Sequence, residues 1–363
     1  VADPAGATNY MPITADRTKL AASMPDAGNT FAADLVIDQA AAVNYEGGAA
    51  TFIDGLAAAC ADLKVTDPTG AINVPFGIKQ FSQVAGSRKL ILGLGIPSTA
   101  PLLSSADTVY RLYRGCTGGT FENKAGVVPV ADGFVSYWPM EEATGNLQDW
   151  TANANHAVRT GCTQQAGMVG MGQRVLVGQK AVSPNNISLT AYTVLAWAWF
   201  DMGNAERFLM SHAPGGTIYN WEYLGQTSPQ KYMQLAVGTK YIFAEIPAIA
   251  APHLCAGTRA AGGAAVLYVD GAVAKTGTLD AMACTTGNVL GAYTTGGYGL
   301  NDILDEVSIH SVVRSPNWIT SYFNMTSANG AFWTVGAEQS CAKPGIRRFN
   351  PGLWTPGTNP GVM

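Results

Sequence analysis

Apolar residues alternate with polar ones over short runs along this chain, and Gly, Pro, Ser, Thr and Asn fill the gaps between the runs. That period of two predicts strands. In the first third, apolar runs cover 13–15, 31–37, 61–66, 72–81, 89–96 and 108–113, and the run ending at Thr66 is closed by a turn, Asp67-Pro68-Thr69-Gly70. Further on, strands are predicted at 134–139, 193–200, 206–210, 232–237, 241–243, 265–269, 272–274 and 304–310. Asp270-Gly271 lies between two such runs and predicts a tight hairpin, because that turn needs positive φ at both central positions. Helical spacing is confined to two places. Ala57 to Asp62 suits a single turn. Ser315-Pro316 opens a short amphipathic helix ending near Asn324, with Ser as cap, Pro in the first turn, and Trp318, Ile319, Tyr322 and Phe323 on one side. The pattern predicts an all-β chain of two tandem antiparallel β-sandwiches, with one short helix after the last strand of the second.

Three pieces, in order, carry a resemblance. They are Tyr137-Trp138-Pro139-Met140-Glu141-Glu142 with Gly145 and Asp149-Trp150-Thr151-Ala152-Asn153-Ala154-Asn155-His156; then Val266-Leu267-Tyr268-Val269-Asp270-Gly271; then Leu304-Asp305-Glu306-Val307-Ser308-Ile309-His310 followed by Arg314-Ser315-Pro316-Asn317-Trp318-Ile319 and Tyr322. This region resembles the LamG-like branch of the concanavalin A-like jelly rolls. Residues 10–125 resemble a companion β-sandwich domain of uncharacterised function, found just before LamG-like domains in bacterial, archaeal and phage surface proteins. The matching features are Ile13-Thr14 with Lys19, the Leu35-Val36-Ile37 run, Ala61 to Asp67 with Gly70, and Val109-Tyr110-Arg111-Leu112-Tyr113-Arg114-Gly115. The last departs from the family's usual Tyr-Tyr-Gly ending. The implied organisation is an arm at 1–9, the companion sandwich at 10–125, the jelly roll at 126–338 and an extended Pro/Gly tail at 339–363.

Composition narrows the function. Charged residues are 13% of the chain, about half the usual share, and net charge is −4 with a pI near 5.6. This gives no electrostatic footprint for nucleic acid or anionic lipid. No stretch approaches the ~18 consecutive apolar residues of a membrane span. The chain opens Val-Ala-Asp-Pro without a signal-like segment, so the expectation is either a removed leader or assembly without one, as in a virion protein. None of the six cysteines forms a C-x-x-C pair. Cys255–Cys284 and Cys60–Cys116 are the pairings considered, with buried free thiols as the alternative.

No H-E-x-x-H, G-x-S-x-G, P-loop or Rossmann fingerprint occurs. Jelly-roll glycosidases carry two carboxylates on one strand face in an E-x-D-x-E pattern, which is absent; Glu141-Glu142 and Asp305-Glu306 are adjacent and alternate in direction. The expectation is no enzyme and no required cofactor. Relatives with this fold often hold a cation at the sandwich rim, and that resemblance makes Asp149, Asn153, Asn155 and Asp305 the candidate Ca²⁺ ligands. The alternative is that Asp149 and the asparagines shape a turn through their own backbone. Aromatics in Gly-rich loops could stack on sugars: Tyr219, Trp221, Tyr223, Tyr293 and Tyr298 form that set. Trp138, Trp197 and Trp199 fall within strands and belong to the core.

The function expected is a non-enzymatic structural or adhesion protein, displayed on a virus particle (a phage decoration or fibre protein) or on a cell surface. Its expected partners are other structural subunits in an oligomeric assembly. The alternatives are a lectin-like carbohydrate-binding module, with or without calcium, and then a glycoside hydrolase or lyase.

Overall fold

The computed structural model describes residues 3–25, 30–46, 48–185, 187–199, 207–212, 222–227, 232–237, 240–246, 251–283, 287–293 and 299–341. Within them the chain is all-β with short helices, and every strand pairing is antiparallel.

The first unit pairs two sheets. Asn9–Ala15 lies beside Thr108–Arg114, which lies beside Lys64–Thr66. A three-stranded sheet sets Lys89–Ile96 between Phe31–Asp38 and Phe76–Ser82. Their facing residues, Met11, Ile13, Leu35, Ile37, Leu90, Leu92 and Tyr110, are fully buried. The strand Phe76–Ser82 carries a bulge: Ile78 faces Leu92 and Gln80 faces Ile91, leaving Lys79 as the extra residue.

The second unit is a jelly roll. Eight strands form one sheet, with Asp302–His310 at its heart between Tyr192–Ala198 and Met171–Val175, and Phe134–Trp138 also pairing with it. Seven strands form the other, ordered from Lys240–Glu245 at one edge through Tyr232–Val237, Glu222–Thr227, Arg207–His212, Val289–Leu290 and Lys180–Val182 to Val158–Thr160. Trp138, Leu195, Trp197, Leu235, Leu267, Leu304 and Ile309 are buried. Asp270 (φ 52°) and Gly271 (φ 75°) make the hairpin turn their sequence required. Asp302–His310 is also bulged. Asp305 faces Trp197 and Ser308 faces Leu195, and Glu306 takes a left-handed φ of 51° between them.

The two units are stitched by the chain's return. Pro316–Ser327 starts where expected, with the Ser315 hydroxyl accepting from Trp318 N at 3.1 Å, and runs three residues past Asn324. It packs against the Phe31–Asp38 strand of the first unit, with the Phe31 and Trp318 rings 5.5 Å apart edge to face. The chain then adds Trp333–Val335 and Gln339–Ser340 to the free edge of Asn9–Ala15. Residues 333–340, placed by sequence at the end of the jelly roll and the start of the tail, thus hydrogen-bond into the first unit's sheet. Asn9, placed in the arm, is a strand residue there. One continuous apolar core runs from Ile13 and Leu35 through Trp318 and Tyr322 to Trp197.

Cys60 and Cys116 are unpaired and buried, so that expected bridge is absent. Burial pushes the Cys60 thiol up to about 12. Cys255 is also unpaired and buried, and Cys284 lies outside the described residues.

Candidate functional site

The candidate calcium ligands fall in two separate places. Asp149 is buried, and both its oxygens are engaged locally: Oδ1 accepts from Tyr137 N (3.0 Å) and Thr151 N (2.9 Å), Oδ2 from the Thr151 hydroxyl (2.8 Å) and Asn155 N (2.8 Å). The Asn153 and Asn155 amides both donate to Val135 O, at 2.9 and 3.2 Å, and Asn155 also donates to the Ser136 hydroxyl at 2.7 Å. This turn pins the Asp149–Asn155 loop onto the strand Phe134–Trp138. Asp305 is elsewhere. Its Oδ2 accepts from Met168 N (2.7 Å) and Val169 N (3.1 Å), and Oδ1 from Glu306 N (2.9 Å), so it anchors the neighbouring loop. Among the described residues no three His, Cys, Asp or Glu side chains gather as a metal site.

Charge does converge at the junction between the units. The Lys79 side chain is fully buried, with Nζ 2.8 Å from Asp34 Oδ1 and in contact with Glu306 Oε1. Glu306 Oε2 accepts from the hydroxyls of Tyr137 and, at 3.3 Å, Tyr322. Lys79 and Asp34 belong to the first unit, and Glu306, Tyr137 and Tyr322 to the second and its helix. The two bulges re-aim Lys79 and Glu306 out of their pleats and toward each other. Burial drives the Glu306 carboxyl well above its ordinary value, against the pull of Lys79. For Lys79, burial lowers and the flanking Asp34 and Glu306 raise, and the net direction is up. Nearby, Glu141 Oε2 accepts from Gln80 Nε2 (2.9 Å) and Met171 N (3.1 Å) while Oε1 has no partner among the described residues. Burial lifts this carboxyl to about 8.

Of the expected sugar-stacking set, Tyr223 and Tyr293 fall among the described residues. Tyr219, Trp221 and Tyr298 are outside the described residues. The register sets Tyr223 opposite Ala236, whose own partner on the far side is Tyr241. The Tyr293 ring packs 5.8 Å from Phe208, and both lie against Ala236. The edge strand Lys240–Glu245 adds two aromatics missed by the sequence reading, Tyr241 (58% exposed) and Phe243 (45% exposed), with centroids 6.1 Å apart. Ile242 between them is buried in the core. The signal is present as Lys-Tyr-Ile-Phe-Ala-Glu, where alternation puts both rings on one face of a strand.

Elsewhere a depression of about 540 Å³ in the first unit is lined by Pro68, Ala100, Leu103, Tyr110, Asp67 and Asp107. Its carboxylates are engaged, Asp67 with Thr69 and Ile72, and Asp107 with Arg17 N.

No family model matches the chain. No curated protein matches it. Among solved structures, similarity is found to domain 4 of a GH43 extracellular arabinanase from Geobacillus stearothermophilus in complex with arabinotriose, at 18% identity over 52% of this chain and 98% of that one, TM-score 0.43. The binding domain of Paraclostridial Mosquitocidal Protein 1 is 13% identical over 53% of this chain and 52% of that one, TM-score 0.41. A Trypanosoma rangeli sialidase is 14% identical over 58% of this chain and 34% of that one, TM-score 0.43. The chain therefore spans about half of the mosquitocidal binding domain and a third of the sialidase. These likenesses are too low to bear on a binding site.

Proposed function

We propose that this chain is a non-catalytic carbohydrate-binding protein that presents the outer face of its seven-stranded sheet to glycans. The observation that carries the reading is the exposed Tyr241–Phe243 pair on the edge strand. Paired aromatic faces on a rigid strand suit the apolar face of a pyranose, and they sit on a scaffold instead of a loop. Against catalysis stand the carboxylates. Asp149 and Asp305 hold turns, Asp34 and Glu306 are buried beside Lys79, and the two carboxylates lining the first unit's depression are engaged, Asp67 by Thr69 and Ile72 and Asp107 by Arg17 N. Calcium is not needed by this reading, because the sugar platform is aromatic and lies apart from the Asp149 turn.

The setting proposed is a cell surface or virus particle, where the protein would act as a structural or adhesion subunit. A weakly charged surface, with 13% charged residues in the chain, suits packing among neighbours there. Binding to immobilised polysaccharides and to a glycan array, with and without chelator, tests the reading. Retention that survives chelator and is lost in the double variant Tyr241→Ala, Phe243→Ala supports it. Absence of binding at millimolar oligosaccharide rejects it.

A further inference from the structure

The buried triad Asp34, Lys79 and Glu306 lies on other sheets than the aromatic edge strand, and glycan binding makes no use of it. Its parts are those of an amide-forming site. Lys79 supplies an amine against the carboxyl of Glu306. Asp34 Oδ1, 2.8 Å from the same nitrogen, can take its proton. The Tyr137 and Tyr322 hydroxyls both reach Glu306 Oε2, where negative charge would develop on attack at Cδ. The Tyr137 ring, with its centroid 5.5 Å from Lys79 Nζ, walls the site, and the Lys79 and Glu306 side chains are fully buried.

We propose that Lys79 and Glu306 join in an intramolecular isopeptide bond, formed by the chain itself with Asp34 as the base. The Lys79 ammonium gives one proton to the Asp34 carboxylate. The freed amine attacks Cδ of the protonated Glu306 carboxyl, and the tetrahedral Oε2 is held by the two tyrosine hydroxyls. A second amine proton passes to the Oε1 hydroxyl by way of Asp34, and Oε1 leaves as water. The products are one amide, one water and a protonated Asp34, and charge is conserved at zero. No oxidant or co-reactant is required.

The electrophile is Glu306 because it holds the hydroxyl pair. The Asp34 carboxyl has only Lys79 among its described side-chain contacts. Burial favours the protonated Glu306 that attack needs. The ammonium is the resting form of Lys79, so proton transfer to Asp34 is the uphill part of the step. Fixed proximity offsets it, and a single turnover per molecule suffices. Amide formation also replaces a buried cation and anion, which are costly to desolvate, with neutral groups.

The test is the intact mass of the purified, folded full chain. The expected value is one water below the mass of the sequence, and trypsin should yield residues 65–88, uncleaved at Lys79, joined to residues 276–314. Glu306→Ala should return the full mass of its own sequence. A wild-type chain that keeps its full mass after prolonged incubation overturns the proposal, whether or not the variant folds. So does a junction to residues 20–64, which would place the bond on Asp34.

Discussion

The indole of Trp150 lies so close to Gly77 that a Cβ there would sit 2.5 Å from Trp150 Cζ3, and a Cβ on Gly93, the residue paired with Gly77, would sit 2.8 Å from the same atom. A jelly-roll side chain is thus seated on a bare patch of the first unit's sheet. Trp150 is 4% exposed and also packs edge to face on Tyr137 at 5.8 Å, so it has no room to retreat. Gly77→Ala and Gly93→Ala should each destabilise by about 1–3 kcal/mol through overpacking. Trp150→Ala should cost about 3–5 kcal/mol. Urea denaturation checks both, and unchanged midpoints in the glycine variants would reject the seating.

Much of this architecture is legible in the sequence, and the part that is not has a physical reason. Strands such as Phe31–Asp38 and Lys89–Ile96, the Asp270-Gly271 hairpin and the Ser315 cap follow from short apolar runs, turn chemistry and capping, which are local. The strands His253–Arg259 and Thr163–Ala166 were missed. The first is buried throughout and includes His253, Thr258 and Arg259, so it shows no alternation; the second is largely exposed and polar. Turn-forming roles of Asp149 and the asparagines could be weighed from spacing alone. Lys79, Asp34 and Glu306 could not be brought together, because Lys79 and Glu306 are separated by 227 positions and meet only through two bulges and a left-handed Glu306. A charge inside an apolar run, as in Phe-Ala-Ala-Asp-Leu-Val-Ile, marks such a position but does not name its partner.

Removing the cation at the junction should be severe. Lys79→Met removes the amide link proposed above together with the cation, and leaves Asp34 and Glu306 buried without a counter-charge; loss of the cation alone should cost about 3–5 kcal/mol. Adding Glu306→Gln to Lys79→Met should recover part of that loss, because one buried carboxyl is then replaced by a neutral amide. A double-mutant cycle by chemical denaturation measures this, and purely additive effects would contradict a shared network.

Stability should fall with rising pH across the neutral range. Burial raises the Glu141 carboxyl from 4.5 to about 8 in the folded chain, so between these values the folded state holds a proton that the unfolded state has released. The slope of unfolding free energy with pH follows the protons bound by the unfolded state minus those bound by the folded state, and is negative here. Glu141's contribution is complete below the unfolded value and lost as pH rises through about 8. Asp305, also raised by burial, acts with the same sign. Urea midpoints at about pH 5 should exceed those at about pH 9, and Glu141→Gln should flatten the slope.

The return of the chain satisfies backbone groups on the edge of Phe31–Asp38. The Asn329 amide accepts from Val36 N at 2.9 Å and donates to Asp34 O at 2.7 Å, and the Trp333 indole donates to the same carbonyl at 2.7 Å. Asn329→Ala leaves the Val36 N–H without this acceptor and should destabilise by about 1–3 kcal/mol. Amide exchange at Val36 should accelerate in that variant while exchange at Leu267, deep in the jelly roll, changes less. Equal acceleration at both sites would mean that opening is global and not local to this edge.

The aromatic face makes the sharpest separation between stability and binding. Tyr241 and Phe243 are exposed at 58% and 45%, so truncating either removes little buried area, and melting temperatures should stay close to wild type. Each ring lost from a stacked sugar should weaken affinity by about 0.5–1.5 kcal/mol, or several-fold. Ile242→Ala, on the opposite face of the same strand, should do the reverse: it loses about 2–5 kcal/mol of stability from the core while leaving the two rings in place. Calorimetric titration with an oligosaccharide identified on the array, paired with thermal melts, reads both quantities. If Tyr241→Ala and Phe243→Ala bind as well as wild type, the sugar platform lies elsewhere on the molecule.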